Sequence, residues 1–418
     1  MERSLFKKSL AEWAKFYLDA RTTLIKRPCP PLPSKKIAAA LIGVRRCGKT
    51  HQAISMTTSL PAEQVVYYNF EDPLFYLNNR VDNLDLLISV AEEFATAKIE
   101  VLILDEIQNV DGWERWVRKI VDQKRYRVIV TGSSANLLSS EISTSIAGRC
   151  LEYRLWPFSY TEILGLEPTP PASANEHLRL LRTIMTWGAF PEVALTDDIS
   201  LRKKLLEQYL SDIVLKDVIS RHEIRHKQAF DKILTFYLTN ISSLHSYASL
   251  KKAFAINAET AANYTNALKE AFMVFEVERY HANFKVQTRD PKKIYIVDPG
   301  LRTVGARSVT DDTGKLLENL VFLELTRRDK KVFYYRDKQE VDFVVTEKYK
   351  AIEAIQVCAS NMQDSATFNR EVSALVECLT ALDLEKGTVI TLDREENLTT
   401  AGKKIKIKPA YSWLQEKI

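Results

Sequence analysis

Cysteine is scarce and badly placed for structural chemistry. The five thiols, Cys29, Cys47, Cys150, Cys358 and Cys378, are scattered over 418 residues, odd in number and without a CxxC pair. A disulfide framework or a cysteine-built zinc site is therefore excluded as the organising device, and a reducing cytoplasm is the expected location. No apolar run approaches the roughly 18 residues needed to cross a bilayer, and the N-terminus lacks the apolar core and cleavage site of a secretory signal. Internal repeats and low-complexity tracts are missing too. A strong net charge is also lacking: 59 Lys and Arg against 54 Asp and Glu leave +5.

What remains is an ordinary globular composition, 46% hydrophobic, long enough for two to four domains. The mild charge is uneven. Residues 1–36 hold nine Lys or Arg against three acids, an excess of six. That bias permits contact with nucleic acid or an acidic partner. The same segment also reads as an amphipathic helix whose apolar stripe is Leu5, Leu10, Trp13, Phe16 and Tyr17, the other face being simply solvated.

Proline punctuates the chain. The run Arg27 to Pro33 cannot continue a helix, so it separates residues 1–36 from a core over 37–166. In that core short apolar runs recur at Ile37–Ile42, Val65–Phe70, Val101–Leu104, Arg127–Thr131 and Cys150–Leu155 with helical stretches between most of them, the rhythm of a parallel α/β sheet. A second proline cluster, Glu167 to Pro171, opens a mainly helical region, 167–241. Within 242–310, two short helices around a turn at Ile256–Asn257, followed by a strand from Met273, outline a winged helix. A last region, 311–418, carries alternating strands at Val332–Arg336, Glu340–Val345 and Ala351–Val357.

The most informative stretch follows the first apolar run. Gly43-Val44-Arg45-Arg46-Cys47-Gly48-Lys49-Thr50 matches GxxxxGK[ST], a loop whose inward-facing N–H groups cradle phosphates. Lys49 supplies a cation for the β and γ oxygens, and Thr50 a hydroxyl for Mg²⁺. A helix starting near Thr50 would point its positive end at the same anion. A second element supports the first. Val101-Leu-Ile-Leu-Asp105-Glu106 is an apolar strand ending in two acids, expected beside the loop's own strand, with Asp105 holding Mg²⁺ and Glu106 preparing the attacking water. The polar tip of the next strand offers Thr131, Ser133 or Ser134 to the water or the γ-phosphate, while Ser134 or Asn136 would equally serve as a helix cap. Arg149, after Ala147-Gly148, is a candidate for stabilising phosphoryl charge at its own nucleotide or a neighbour's, or else a surface ion pair.

These motifs, together with Trp156-Pro-Phe-Ser-Tyr-Thr-Glu162 and Trp187-Gly-Ala-Phe-Pro191-Glu192, occur in an order that resembles the archaeal and bacterial AAA-type ATPases bearing a C-terminal domain of unknown function. The resemblance spans nearly the whole chain. It implies an additional-strand P-loop NTPase core, a helical lid, a winged helix, and a C-terminal domain similar to the PD-(D/E)XK nuclease fold. It also implies ATP and Mg²⁺ as ligands and supports the roles given to Asp105 and Glu106.

Active members of that nuclease fold use a helical Glu, a strand Asp, then Glu-x-Lys on the next strand to bind divalent metal. Glu318 and Asp342 fit the first two places. The third reads Gln356-Val-Cys358, and a neutral amide with a thiol is a poor substitute for a carboxylate and a lysine. Metal-dependent cleavage is not expected unless a shifted register brings Glu353 into play. The second helix of the winged-helix segment carries Glu259, Asn263, Tyr264, Asn266, Lys269 and Glu270 but no arginine, so its use as a DNA reader is less supported than its fold. Three functions stay open: an ATPase that switches conformation and acts on DNA, a nucleotide-gated module binding DNA or a protein with slow turnover, and an ATP-regulated nuclease. An oligomer sharing Arg149 is compatible with the first.

Overall fold

The apolar runs become strands buried along their whole length where the sheet is covered on both faces. A computed structural model of the chain describes residues 3–76, 79–133, 146, 148–307, 312–359 and 365–416. They fall into two compact units, residues 1–156 with Glu270–Phe272, and residues 157–269 with 273–418.

In the N-terminal unit the strands are β1 (Ala38–Ile42), β2 (Val65–Asn69), β3 (Val101–Asp105), β4 (Arg127–Gly132) and β5 (Cys150–Arg154). All neighbours run parallel in the order β2-β3-β4-β1-β5. Every residue of β1 and β3 is buried, as a two-sided parallel sheet demands. The expected adjacency of the two motif strands is corrected here: β4 stands between β1 and β3 as an additional strand. Because all strands point the same way, the C-terminal tips of β1, β3 and β4 share one edge of the sheet.

The first helix, α1 (Arg3–Thr22), packs onto β2. Its inward stripe matches the expected one in part, with Tyr17 buried and Leu10 and Trp13 half-buried. Phe6, Ser9, Tyr17 and Ala20 are buried, whereas Leu5 and Phe16 are exposed. Polar contacts explain the rotation: the Ser9 hydroxyl lies 2.8 Å from both Tyr68 OH and Asp72 Oδ2, Trp13 Nε1 donates to Asp72 at 2.7 Å, and Tyr17 OH meets the Thr57 hydroxyl at 2.9 Å.

The C-terminal unit begins with helices Ala174–Trp187, Ile199–Asp212 and Lys227–Thr239. Strand β6 (Ser243–His245) precedes helices Tyr247–Phe254 and Ala258–Glu270, and with β7 (Val274–Val277) and β8 (Lys292–Ile296) beyond them it forms a small antiparallel sheet ordered β6-β8-β7. The final region holds β9 (Lys331–Arg336), β10 (Glu340–Glu347), β11 (Lys350–Cys358), β12 (Lys386–Thr391), β13 (Glu396–Thr400) and β14 (Lys403–Pro409). They form one mixed sheet, β13-β14-β12-β11-β10-β9, twice as wide as the three strands expected from sequence. Helix Ser365–Ala381 packs on β10, β11 and β12, and Leu375, Cys378 and Leu379 share a core with Val389, Ile405 and Ile407.

Gly188 is fixed by its surroundings in this unit. Its φ is 76°, and a Cβ there would lie 1.6 Å from Asp298 Oδ1. Asp298 accepts from the N–H groups of Ala189 (2.6 Å) and Gly300 (2.8 Å), so its carboxylate staples the Trp187–Glu192 segment to Asp298-Pro299-Gly300. Among the described residues no helix is long and apolar enough to cross a membrane.

Candidate active site

The phosphate loop leaves the tip of β1 and ends in helix α2 (Lys49–Ser55). Gly43 is required by close approach, since a Cβ would fall 2.1 Å from the Leu155 carbonyl oxygen. Arg46 and Gly48 take positive φ of 70° and 97°, a conformation that turns successive N–H groups toward one point. Val44 and Cys47 are buried beneath the loop and Arg46 is exposed, so the cradle is made of backbone. Burial raises the Cys47 thiol pKa, against the pull of nearby Lys49. Arg27, from the proline-rich segment, braces the loop by donating to the carbonyls of Cys47 and Trp156 at 2.9 Å each. Arg45 pairs with Glu71 at 2.7 Å.

Lys49 is buried and donates to the carbonyls of Gly43 and Val44, both at 3.1 Å, with Glu106 Oε1 at 3.8 Å. Thr50 donates to Asp105 Oδ2 at 2.8 Å. A hydroxyl and a carboxylate joined at the mouth of a phosphate loop are the oxygen donors a Mg²⁺ ion takes, so these residues fit that metal. Asp105 is almost wholly buried. Tyr67 OH donates to its Oδ2 at 2.8 Å and the Thr131 hydroxyl to its Oδ1. Burial and the Glu106 charge raise the Asp105 pKa, while the hydroxyls of Thr131, Tyr67 and Thr50 oppose that rise.

Glu106 sits one residue past the strand in the left-handed region, φ 53°. A non-glycine residue there costs of order 1–3 kcal/mol, a strain that surrounding structure must hold. Two contacts hold it: its N–H donates to the Thr131 hydroxyl at 3.0 Å, and Gln108 Nε2 donates to its carboxylate. Thr131 thus bonds both acids at once, a placing role where the sequence suggested contact with water or phosphate. Ser133 is buried just beyond β4. Ser134, Asn136 and Ala147 lie outside the described residues.

Arg149 is not brought to this site. Its carbonyl accepts from Ala38 N at the start of β1, whereas the loop leaves the other end of that strand, about 15 Å away at the usual rise per residue. Its guanidinium pairs with Asp122 at 2.7 Å, both side chains over 40% exposed. The reading of Arg149 as a ligand of its own subunit's nucleotide is corrected accordingly. Tyr67 and Gln108 went unseen in the sequence. Tyr67 faces Ile103 across the β2–β3 register, two residues short of the level of Asp105, and no local motif encodes that neighbourhood.

In the C-terminal unit Glu318 and Asp342 do come together, but around a lysine. Lys293 Nζ, on β8, lies 2.9 Å from Glu318 Oε1, 2.8 Å from Asp342 Oδ1 and 2.9 Å from Glu340 Oε1. Tyr295 OH donates to Glu318 at 2.7 Å. Burial alone would lower the Lys293 pKa, yet Asp342 and Glu318 outweigh it and hold the pKa well above its usual value. Burial and Asp342 raise that of Glu318. Gln356 is turned to other work: its Oε1 accepts from Asp342 N at 3.1 Å, and its Nε2 donates to Glu371. Cys358 belongs to the apolar core. Glu353, opposite Val345, accepts from Thr388, so the shifted register is not adopted. The set expected to form a degenerate metal site is therefore split, and a buried ammonium at its centre does not fit a divalent cation. Among the described residues no group of three or more His, Cys, Asp or Glu is arranged to hold a metal.

An AAA domain model matches residues 35–164, and two domains of unknown function match residues 178–311 (DUF8612) and 313–412 (DUF4143). With the phosphate loop and the parallel sheet, this makes the N-terminal unit an AAA-type P-loop nucleotide-binding core. The chain belongs to one family with an uncharacterized protein of Methanocaldococcus jannaschii, 33% identical over 396 residues, covering 89% of this chain and 87% of that protein. An uncharacterized protein of Haemophilus influenzae is 28% identical over 313 residues, covering 72% of this chain and 78% of its own length. Among solved structures, Cdc6p of Pyrobaculum aerophilum matches at 13% identity and TM-score 0.27, covering 73% of this chain and 92% of that one. The Aeropyrum pernix ORC1 protein in complex with DNA matches at 12% and 0.30, covering 72% and 91%. At TM-scores this low the likeness carries no functional argument.

Proposed function

We propose that this protein is a Mg²⁺-dependent ATP hydrolase that uses turnover to switch conformation. The observation that carries the reading is the convergence of Lys49, Thr50, Asp105, Glu106 and Thr131 at one edge of the sheet, beside a loop whose backbone turns inward. Phosphates entering the loop take the place of the Gly43 and Val44 carbonyls as partners of the Lys49 ammonium. Thr50 and Asp105 would hold Mg²⁺, which supplies positive charge to the phosphate oxygens. Glu106, already strained and aimed by Thr131 and Gln108, accepts the proton of the attacking water. The region 167–241 is read as a lid, 242–310 as a winged helix, and 311–418 as a nuclease-like domain without cleavage activity.

ATP binding and turnover test the assignment. Lys49→Ala is expected to lose nucleotide binding. Glu106→Gln is expected to keep it while turnover falls about 10²- to 10⁴-fold, the usual contribution of a general base. Equal turnover by Glu106→Gln and wild type would overturn the reading.

A second reading, a nucleotide-gated module that binds DNA, is favoured by one surface of the C-terminal unit. Lys386 and Lys404 face each other across β12 and β14, and Lys406 lies two residues along the same face; all three are exposed. They make no ion pair among the described residues. Like charges directly opposite are destabilising, a cost that a polyanion removes. The helix Ala258–Glu270 is poorer in free cations, for Lys269 is tied to the buried Glu276 at 2.8 Å and Tyr264 is buried.

A further inference from the structure

We infer that Lys293 is the resident cation of the C-terminal carboxylate cluster, its ammonium standing where a nuclease-like site would hold a divalent metal. Three carboxylates on two elements, Glu318 on helix Thr313–Arg327 and Glu340 and Asp342 on β10, converge on one nitrogen at 2.8–2.9 Å. The lysine side chain is 2% exposed. It comes from β8, a strand of the small three-stranded sheet, which explains why the motif Gln356-x-Cys358 gives no sign of it. Tyr295, two residues along the same strand and therefore on the same face, supports it by donating to Glu318. Asp342 is engaged on both oxygens, with Lys293 on one and Val357 N–H at 2.9 Å on the other.

A divalent ion bound by these groups would sit about 2.0–2.6 Å from their oxygens, inside the space the ammonium already fills, and would meet its positive charge there. The two cations exclude each other. Three carboxylates against one ammonium also leave the pocket without excess positive charge, so a phosphodiester finds no anchor in it, and any polyanion contact of this unit lies elsewhere. The cluster acts instead as a permanently loaded joint between β8, helix Thr313–Arg327 and β10. This inference stands apart from the ATPase reading, because neither the lysine nor its partners belong to the nucleotide site.

The test is Mn²⁺ binding without nucleotide, read from the loss of the free-ion electron paramagnetic resonance signal, on the full chain carrying Lys49→Ala. That background protein is expected to hold no Mn²⁺ that Asp342→Asn removes, since any ion at Thr50 and Asp105 does not depend on Asp342. Adding Lys293→Met, which keeps the apolar stem and vacates the place of the ammonium, is expected to bind a single further equivalent at least about tenfold more tightly than the background, and adding Asp342→Asn is expected to remove it. Where Lys293→Met does not fold in chelator, recovery of its cooperative unfolding transition on adding millimolar Mn²⁺ supports the same conclusion. Mn²⁺ binding by the background protein that Asp342→Asn abolishes would overturn the inference. So would a folded Lys293→Met that binds no further ion, or an unfolded one that Mn²⁺ does not recover.

Discussion

Thr131 links the two acids of the nucleotide site, donating to Asp105 and accepting from the Glu106 backbone. Replacing it with valine keeps the shape and deletes both bonds. Thr131→Val is expected to lower kcat about 10- to 100-fold, the usual cost of a lost orienting contact, with nucleotide affinity changed much less, and steady-state kinetics alongside equilibrium nucleotide binding would check the split. Lys49, Thr50 and Asp105 were legible in the sequence because a local spacing encodes them. Thr131 was legible only as a residue type, since its partners lie across a strand register. Lys293 was not legible at all, because its carboxylates come from residues 25 to 49 positions away. Asp298 carries a different residue-scale consequence. Burial pushes its pKa up to about 7 from 3.8, against the N–H groups of Ala189, Gly300 and Phe190. The folded chain therefore holds an extra proton between about pH 4 and 7. The stability this adds is full below about 4 and is lost as pH rises through about 7, at up to about 1.4 kcal/mol per pH unit. Urea midpoints of the C-terminal unit are expected to fall from pH 5 to pH 8, and Asp298→Asn is expected to flatten that fall.

At the scale of elements, α1 shows how a helix can be recognised and its face misread. Apolar periodicity chose Tyr17, which is buried, and Leu10 and Trp13, which are half-buried, but also Leu5 and Phe16, which are exposed; the bonds of Ser9 and Trp13 to Tyr68 and Asp72 set a rotation that buries Phe6 in their place. Periodicity counts apolar residues and is blind to polar partners on another element. The final strands were hidden for a related reason: only alternate residues of β14 are apolar, Ile405 and Ile407 between lysines, a weak signal without the neighbouring strand. The contacts of α1 make it part of the nucleotide-binding unit. Burying Phe6 and Tyr17 contributes about 1.5–3 kcal/mol each, a large share of the 5–15 kcal/mol typical of a domain. Deleting residues 1–22 is expected to lower the unfolding temperature of the N-terminal unit by about 10 °C or more and to promote aggregation through the uncovered edge strand β2. An unchanged transition in scanning calorimetry would mean that α1 is only a solvated basic arm.

For the whole molecule, a net charge of +5 spread over 418 residues is too diffuse to draw a polyanion by itself, so any affinity for DNA must come from local clusters. Two are available. The basic excess of residues 1–36 is partly consumed, since Arg3 pairs with Glu93, Lys35 pairs with Glu100, and Arg21 and Arg27 bond backbone carbonyls. Lys386, Lys404 and Lys406 are not consumed, and they stand on one exposed sheet face at the spacing of a strand. If that face takes a duplex, each lysine that neutralises a phosphate adds about 0.9 to the dependence of log affinity on log salt. Glutamine at all three positions is then expected to flatten the slope by about 2 to 3, weaken binding of unrelated duplexes equally, and leave ATP turnover without DNA unchanged. The measurement is fluorescence anisotropy of a labelled duplex over a salt series, with ATP and with Lys49→Ala as the nucleotide-free control. A slope identical to that of the wild type would move the contact away from this face, and binding that is equal with and without nucleotide would separate the DNA surface from the ATP switch.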